Sequence, residues 1–309
     1  MPGKASTTKT AIDVDGKQLQ LSNLNKVYYP ASGFTKAQVI DYYVQIAPAL
    51  LPHLAGRPVT LKRYPGGVDG AYFYQKECPE YRPSWLDTAP VYSGSNERNV
   101  NFCLVNDLPS LVWVVNTAAI ELHTSLSLGE DPATPSMMVF DLDPGPPASI
   151  LECAQVALWL RQAFAGQGLQ SFPKTSGSKG LQVYVPLNTA VAYDQTKSFA
   201  HAQARLLEEQ HPDLVVSKMT KSLRQGKVLV DWSQNDHHKT TVCVYSLRAR
   251  ERPTASTPVQ WPEVEAAVAG RDPQLLFFEA DQVVRRWQAL GDLFAPVLEL
   301  KQELPPDGD

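Results

Sequence analysis

The chain has 309 residues, of which 43% are hydrophobic, so it can form one large domain or two closely packed ones with a sizeable core. Its net charge of −4 argues against a protein that binds nucleic acid through a general excess of positive charge. We find no apolar N-terminal signal and no run of about 18 apolar residues, so we expect a protein of the cytoplasm, neither exported nor membrane-spanning.

The charge is unevenly distributed. Residues 217–252 contain eight Lys or Arg and three acids, whereas residues 253–309 contain four Lys or Arg and ten acids. The basic segment favours an anionic partner for this part of the chain. The four cysteines lie far apart, without a Cys-x-x-Cys pair or a histidine at zinc-ligand spacing, so we expect reduced and mostly buried thiols.

The apolar periodicity predicts alternating strands and helices. Residues 1–12 resemble a disordered leader, and a hairpin around Asp15-Gly16 follows. Helices are predicted from Thr35 to about Pro52, over 108–120 with His123 just after its end, from Ser149 to about 166, over 194–210 and over 273–290. Strands are predicted over 58–64, 71–76, 99–105, 137–140, 169–173, 181–187, 214–219, 228–233 and 241–247.

One strand leads directly into two acidic residues. Met137 to Phe140 form an unbroken apolar run, typical of a strand covered on both faces, and Asp141 and Asp143 follow. Because side chains alternate along a strand, the two carboxylates point to the same side. Solvated acids at a strand tip are the simpler explanation, but the pair also suits hard divalent cations. Asp231 follows a second apolar strand and is a candidate third ligand.

Two loops suggest anion binding. Ser176-Gly177-Ser178-Lys179-Gly180 could bring backbone amides and Lys179 to an anion, although it lacks the Walker spacing and could be a plain hairpin loop. A second, basic loop precedes Asp231 and contains Lys218, Lys221, Arg224 and Lys227. His237 and His238 are expected to be a surface pair in a turn. The aromatic run Tyr72-Phe73-Tyr74, beside Lys62 and Arg63, could stack on bases or pack in the core.

Together, four segments resemble the polymerase domain of bacterial ATP-dependent DNA ligase D, a member of the archaeo-eukaryotic primase superfamily. They are Phe140-Asp141-Leu142-Asp143-Pro144-Gly145, Thr175-Ser176-Gly177-Ser178-Lys179-Gly180-Leu181, Met219-Thr220-Lys221-Ser222-Leu223-Arg224 and Val230-Asp231-Trp232-Ser233-Gln234-Asn235. The resemblance covers about residues 21–300, and we expect no attached ligase or nuclease domain.

The resemblance implies an α/β (α+β) primase-like catalytic core, in which two interleaved modules have central mixed or antiparallel sheets flanked by helices. It implies one catalytic domain over 13–300, divided into an N-terminal module (13–135), an RRM-like catalytic module (136–250) and a C-terminal helical part (251–300), with an acidic tail over 301–309. In a bacterium, such a chain would be cytoplasmic and associated with the nucleoid.

The resemblance also implies roles for individual residues. The metal ligands and catalytic residues would be Asp141, Asp143 and Asp231, holding two Mn²⁺ or Mg²⁺ ions. The nucleotide would be bound by Lys62, His123, Ser176, Lys179, Gln182, Gln234 and Arg248. DNA and its 5′-phosphate would be bound by Lys26, Lys36, Phe73, Tyr74 and Arg224. Tyr74 departs mildly from the family's phenylalanine pair.

Gln182 departs more seriously, because it occupies the position of histidine in the family's Gly-x-His motif. Glutamine can donate a hydrogen bond to a phosphate, but it cannot carry a proton or a positive charge. The reaction expected from the resemblance is nucleotide addition, with ribonucleotides preferred, to DNA 3′-hydroxyls at gaps, primer-templates and ends during non-homologous end joining. NTPs or dNTPs, a separate DNA ligase and the Ku end-binding protein would be partners.

Two alternatives remain open. A haloacid-dehalogenase-type phosphatase also ends a strand in Asp-x-Asp, but its motif requires Thr or Val where this chain has Gly145, and no later Asp-Asp pair is present. A DNA-end-binding adaptor would result if Gln182 had abolished synthesis while Lys26 and Lys36 still bound a 5′-phosphate.

Overall fold

A computed structural model of the protein describes residues 9–93 and 97–305. The strands are β1 Lys9–Val14, β2 Lys17–Ser22, β3 Val27–Tyr29, β4 Phe34–Thr35, β5 Val59–Arg63, β6 Phe73–Gln75, β7 Thr88–Ser93, β8 Arg98–Cys103, β9 Ala119–Thr124, β10 Met137–Pro144, β11 Phe172–Thr175, β12 Leu181–Pro186, β13 Val215–Val216, β14 Val228–Asp231 and β15 Thr241–Val242. The helices are α1 Lys36–Leu54, α2 Leu108–Asn116, α3 Ile150–Gly166, α4 Tyr193–Gln210, α5 Trp261–Gly270, α6 Ala280–Leu290 and α7 Pro296–Glu299.

The sheet that contains the acidic strand has five strands in the order β11-β12-β10-β14-β13. All its pairs are antiparallel except β13 with β14. On one face of β10, Met138, Phe140 and Leu142 pack with α3 and α4 in a core of their own. On the other face, Val139 joins the second core. Apolar residues on both faces explain the unbroken run in the sequence.

A second sheet has six strands, with the order β15-β9-β5-β8-β7 and with β6 paired to β5. Helices α1 and α2 cover it and contribute Tyr43, Leu50 and Leu111 to the second core. The C-terminal helices join both cores, because Val264 of α5 packs beside α3 and Val283 of α6 beside α1. The module boundaries named above stay a prediction.

The helix starts that were predicted from capping residues are confirmed. Thr35 and Gln38 form a reciprocal capping box at the start of α1, and Ser149 and Glu152 form another at the start of α3. The mixed α/β architecture predicted from the resemblance is confirmed as well. Within the described residues, no helix combines the length and the apolarity needed to cross a membrane.

Three predicted elements are wrong in part. The leader was predicted through residue 12, but β1 begins at Lys9; residues 1–8 lie outside the described residues. The helix predicted over 108–120 ends at Asn116, because Ala118 adopts φ 72° and the chain turns into β9, which places His123 on a strand. The helix predicted over 273–290 is a 3₁₀ turn at Pro273–Leu276 followed by α6.

Other strands are shorter than predicted, and β10 is longer. β15 ends at Val242, three residues before Tyr245, which adopts φ 65°. β10 continues to Pro144, so Asp141 and Asp143 lie within the strand and not beyond its end. In the acidic tail, Gln302 bonds the carbonyl oxygens of Gln170 and Pro186, whereas residues 306–309 lie outside the described part.

The prediction of four reduced thiols is wrong for two of them. Cys78 and Cys103 form a disulfide, with their Cα atoms 4.9 Å apart. The two residues are 25 positions apart in sequence, and the backbone hydrogen bond from Cys78 N to Asn101 O brings their segments together. Neither spacing nor a motif signals such a contact. Cys153 and Cys243 are free and buried, as expected.

Candidate active site

The three aspartates predicted as metal ligands lie on two neighbouring strands. Asp141 of β10 is directly opposite Asp231 of β14, and Asp143 lies two residues further along the same face of β10. Asp141 and Asp143 line a cavity of about 630 Å³ between the two sheets. The β10–β14 pairing therefore brings together residues that are 90 positions apart in sequence.

The electrostatics of this trio fit a divalent cation. Burial, together with the charges of Asp143 and Asp231, raises the pKa of Asp141 to about 7. Burial and Asp231 also raise the pKa of Asp143. The charges of Lys174, Arg224 and Arg248 oppose these rises only in part, so a bound cation would relieve the remaining repulsion. Oxygen ligands of this kind are those that Mg²⁺ and Mn²⁺ prefer.

Asp231 is also held by its own loop. Its Oδ1 accepts hydrogen bonds from Ser233 N and Oγ, and its Oδ2 accepts one from Gln234 Nε2 at 2.7 Å. Gln234, predicted to bind nucleotide, thus contacts a predicted metal ligand. Among the described residues, three candidate ligand atoms lie within 4.8 Å of one another in Asp236, His237 and His238, and His238 lines the cavity; the ligand atoms of the acidic trio are spaced more widely than this. Both histidines are exposed in a turn, as predicted.

The Ser176–Gly180 loop forms one wall of the cavity. Ser176 Oγ accepts hydrogen bonds from Ser178 N and Gly180 N, and Ser176 O accepts one from Arg248 Nη1. Gly177 has φ 66°, and a Cβ there would lie 2.5 Å from the Ala255 backbone, so only glycine fits. Lys179 is exposed and lines the cavity. The loop thus places the exposed Lys179 and the hydroxyl groups of Ser176 and Ser178 in the same cavity as Asp141 and Asp143.

Glu121, which the sequence analysis did not identify, contacts three of the residues predicted to bind nucleotide. It is buried on β9, beside Lys62 Nζ at 3.3 Å, His123 Nε2 at 2.9 Å and Arg248 Nε at 3.2 Å. Although burial opposes ionisation, the hydrogen bond with His123 and the charges of Arg248, His123 and Lys62 hold the pKa of Glu121 well below its ordinary value. Residues two apart share a face in a strand, so Glu121 can be recognised as a neighbour of His123 only once residues 119–124 are known to form a strand.

The aromatic residues of β6 are exposed, which removes core packing as their explanation. Tyr74 is 56% exposed and its ring lies 6.0 Å from that of His123, while the guanidinium of Arg63 lies 5.2 Å from the ring of Phe73. Lys62 lies 4.5 Å from the Tyr72 ring. Exposed rings with cations beside them suit stacking on bases.

Lys26, Lys36 and Arg63 form a second group of cations, outside the residues that line the cavity. Lys26 is exposed, whereas Lys36 is 3% exposed and donates to Ser22 O at 2.7 Å and Asn116 Oδ1 at 2.8 Å. Burial, with the charges of Arg63 and Lys26, lowers the pKa of Lys36 to about 8. The mutual repulsion favours an anion at this cluster, but the ammonium of Lys36 points into the protein.

Arg224 lies beside the acidic strand. Its Nη2 donates to Met219 O at 2.6 Å, and its charge opposes the rise in the pKa of Asp143. Gly145, directly after β10, touches the same loop, because a Cβ there would lie 1.8 Å from the Arg224 carbonyl oxygen. Gly145 therefore lets the basic loop close over the end of β10.

Comparison with known proteins identifies the family. The family model described as "LigD, primase-polymerase domain" matches residues 35–294. The chain belongs to this family. Membership confirms the predicted resemblance and the predicted class of enzyme, a nucleotidyltransferase of the DNA polymerase and primase type, and implies metal-dependent transfer. It removes the phosphatase alternative.

Two relatives support the assignment to this family by their sequence identity. The chain is 41% identical to the multifunctional non-homologous end joining protein LigD of Mycolicibacterium smegmatis over 285 residues, which are 91% of this chain and 36% of the relative. It is 32% identical to the bifunctional LigD of Bacillus subtilis, covering 93% of this chain and 45% of the relative. The chain thus spans less than half the length of these relatives.

A solved structure is similar throughout. The polymerase domain of Mycobacterium tuberculosis ligase D, in complex with DNA, matches with a TM-score of 0.84 and 40% identity, over 91% of this chain and 98% of that one. The two-sheet arrangement is therefore a property of the family's polymerase domain.

We predict that Glu121→Gln weakens nucleotide binding. Removing the buried charge leaves Lys62 and Arg248 without their common counter-ion, which costs about 3 kcal/mol of stability and disperses the cations. We expect a KM for NTP raised by tenfold or more, measured by steady-state primer extension, and a lower midpoint in denaturant unfolding. Glu265→Gln is the matched control, since Glu265 pairs with Arg161 at the surface. An unchanged KM for NTP in Glu121→Gln would contradict the role of Glu121.

Proposed function

We propose that this protein extends the 3′-hydroxyl of a DNA strand with nucleoside triphosphates, filling gaps and processing ends in non-homologous end joining. The observation that carries the proposal is that Asp141 and Asp143, with Asp231 opposite Asp141, lie at a cavity whose other wall is basic. A triphosphate fits such a cavity, because its charge is complementary to Lys179, Arg248 and Arg250, which line it.

The residues have distinct tasks in this reaction. Asp141, Asp143 and Asp231 would hold two divalent ions, Mn²⁺ or Mg²⁺, which supply Lewis-acid stabilisation of the transferring phosphate and the attacking 3′-oxygen. Lys179 and Arg248 bind the phosphates, and His123 of β9, with Lys62 on the neighbouring strand β5, bounds the nucleotide pocket. The chain's contribution is positioning and electrostatic complementarity.

The exposed β6 rings support a template-binding role for this side of the cavity. Phe73 and Tyr74 stack on bases, and Arg224 orients the acidic strand from its loop. We further propose a preference for ribonucleotides. We also propose a separate DNA ligase and a Ku-type end-binding protein as partners, because the relatives are named as non-homologous end joining proteins. With DNA as its substrate, the protein would act at the nucleoid in the bacterial cytoplasm.

The adaptor remains a second candidate, because Gln182 stands where the family has histidine. In that case gapped DNA with a 5′-phosphate would be bound without nucleotide incorporation. The two candidates share the basic cluster and differ in the chemistry at the aspartates.

We predict that the wild-type chain extends a primer in the presence of Mn²⁺ and NTPs, and that Asp141→Ala reduces the rate by at least a thousandfold, because a metal ligand is lost. Extension is measured on a gapped duplex with NTPs and dNTPs in parallel. Asp213→Ala, at an exposed aspartate outside the site, is the control. Equal extension by Asp141→Ala would rule out the assigned roles, and binding without extension by the wild type would establish the adaptor.

We predict that Lys26→Ala reduces the preference for a 5′-phosphorylated gap by about tenfold, because Lys26 is the exposed lysine of the cluster and a charged hydrogen bond to phosphate is lost. Fluorescence anisotropy with phosphorylated and unphosphorylated gapped DNA measures the preference. Lys301→Ala, an exposed lysine elsewhere, is the control. A 5′-phosphate preference that Lys26→Ala leaves intact would place the anion elsewhere.

We predict that the preference for the 5′-phosphate, measured in the same assay, depends on pH. The pKa of Lys36 lies at about 8 in the free protein, so its positive charge is present below pH 8 and is lost as the pH rises through that value. The preference for the 5′-phosphate should therefore fall above pH 8, by as much as about tenfold at pH 9. Lys36→Met should remove this dependence; a preference that is flat from pH 7 to 9 in the wild type would contradict a contribution from Lys36.

A further inference from the structure

A row of polar side chains crosses the catalytic sheet from one edge strand inward. Lys174 of β11 is directly opposite Gln182 of β12, Gln182 is opposite Asp141 of β10, and Asp141 is opposite Asp231 of β14. Directly opposed residues in a sheet point to the same face. The row therefore connects a cation at one end, through one amide, to two of the carboxylates.

Lys174 is completely buried, with 0% exposure, and its ammonium has three partners. It donates to Gln182 Oε1, to Ser256 Oγ at 2.7 Å and to Val242 O at 3.1 Å. Ser256 Oγ gives its own proton to Thr175 O, so it acts as acceptor towards Lys174. Three acceptors require three N–H groups, which the ammonium has and a neutral amine does not. The hydrogen-bond geometry therefore favours a charged lysine, against burial, which lowers the pKa of Lys174 to about 7.

The ammonium fixes the orientation of the amide in front of it. Because an ammonium accepts no hydrogen bond, the group of Gln182 that faces Lys174 must be its carbonyl oxygen. The NH₂ group then points the other way, to Asp141, with which Gln182 shares a side-chain hydrogen bond, and to the cavity that Gln182 lines. Gln182 is 2% exposed, and rotating its amide by 180° would break the hydrogen bonds to both Lys174 and Asp141.

We propose that Lys174 is a positioning residue: its buried ammonium holds Gln182 with the donor end towards Asp141 and the triphosphate, and provides the positive charge that Gln182 lacks. This inference rests on the proposed function, which supplies the triphosphate. Lysine and glutamine together then perform the task of a single histidine, one giving the charge and the other the hydrogen bond. The adaptor would no longer follow from Gln182 alone.

The test is a double-mutant cycle of Lys174→Met and Gln182→His. Methionine fills the space of lysine without charge. We expect Lys174→Met alone to raise the Kd for Mn²⁺ and NTP, measured by titration calorimetry without primer, and the KM for NTP by about tenfold, with the KM for primer DNA unchanged. Gln182→His alone should also weaken NTP binding, because the imidazole meets a buried ammonium that has lost its acceptor.

The double variant distinguishes the outcomes. Without the ammonium, the introduced histidine can take its own charge, so Lys174→Met with Gln182→His should bind NTP more tightly than either single variant and approach the wild type. Single effects that add up, or a Lys174→Met Kd equal to that of the wild type, would overturn the inference. If Lys174→Met alone does not fold, the comparison of Gln182→His with the double variant still decides.

Two controls distinguish a specific effect on NTP binding from misfolding and from failure of the proposed function. Binding of gapped DNA with a 5′-phosphate should be unchanged in all variants, because the cluster at Lys26 and Lys36 lies outside the row, and this shows that the variants are folded. Failure of the wild type to extend primers would defeat the proposed function, whereas the inference is judged on differences in NTP affinity among variants. A wild type that binds no triphosphate would overturn both.

Discussion

The pairing register of β10 is the constraint on which the rest of the site depends. Its residues alternate between two cores until Asp141, which then stands between Gln182 on one side and Asp231 on the other. A slip of one residue would turn Phe140 towards the cavity and bury both β10 aspartates among the helices. The cost of burying those charges enforces the register, so the same apolar pattern that folds the sheet also places the two β10 aspartates at the cavity.

The site separates charge into two halves that need a ligand between them. On β10, burial and the charge of Asp231 raise the pKa values of Asp141 and Asp143. Across the cavity, Lys62 of β5, His123 of β9 and Arg248 share Glu121 as a buried counter-charge. In the proposed reaction, a divalent cation with a triphosphate would satisfy both halves at once. Without Glu121, Lys62 and Arg248 would repel one another, so a buried acid that touches no reacting atom would determine where the phosphates are bound.

How much the sequence could predict depended on how local the signal was. Asp141, Asp143 and the Ser176 loop were identified because an apolar strand, a pair of acids and two glycines lie within a few residues of one another. Glu121 and Lys174 were missed because each acquires its meaning from a neighbour on another strand. The helix predicted over 108–120 is wrong because an apolar run fits either period, and only the turn at Ala118 ends it.

The same reasoning changes how Gln182 should be understood. Taken alone, a glutamine in place of histidine removes a charge, and the sequence then favours an impaired enzyme. In the folded chain the adjacent strand places a lysine directly behind that glutamine, in a pocket with three acceptors, where a charge would otherwise be costly to bury. A buried ammonium is retained only where its hydrogen bonds are complete. The departure at one position is therefore inseparable from the residue opposite it, and the two must be exchanged together to learn what either contributes.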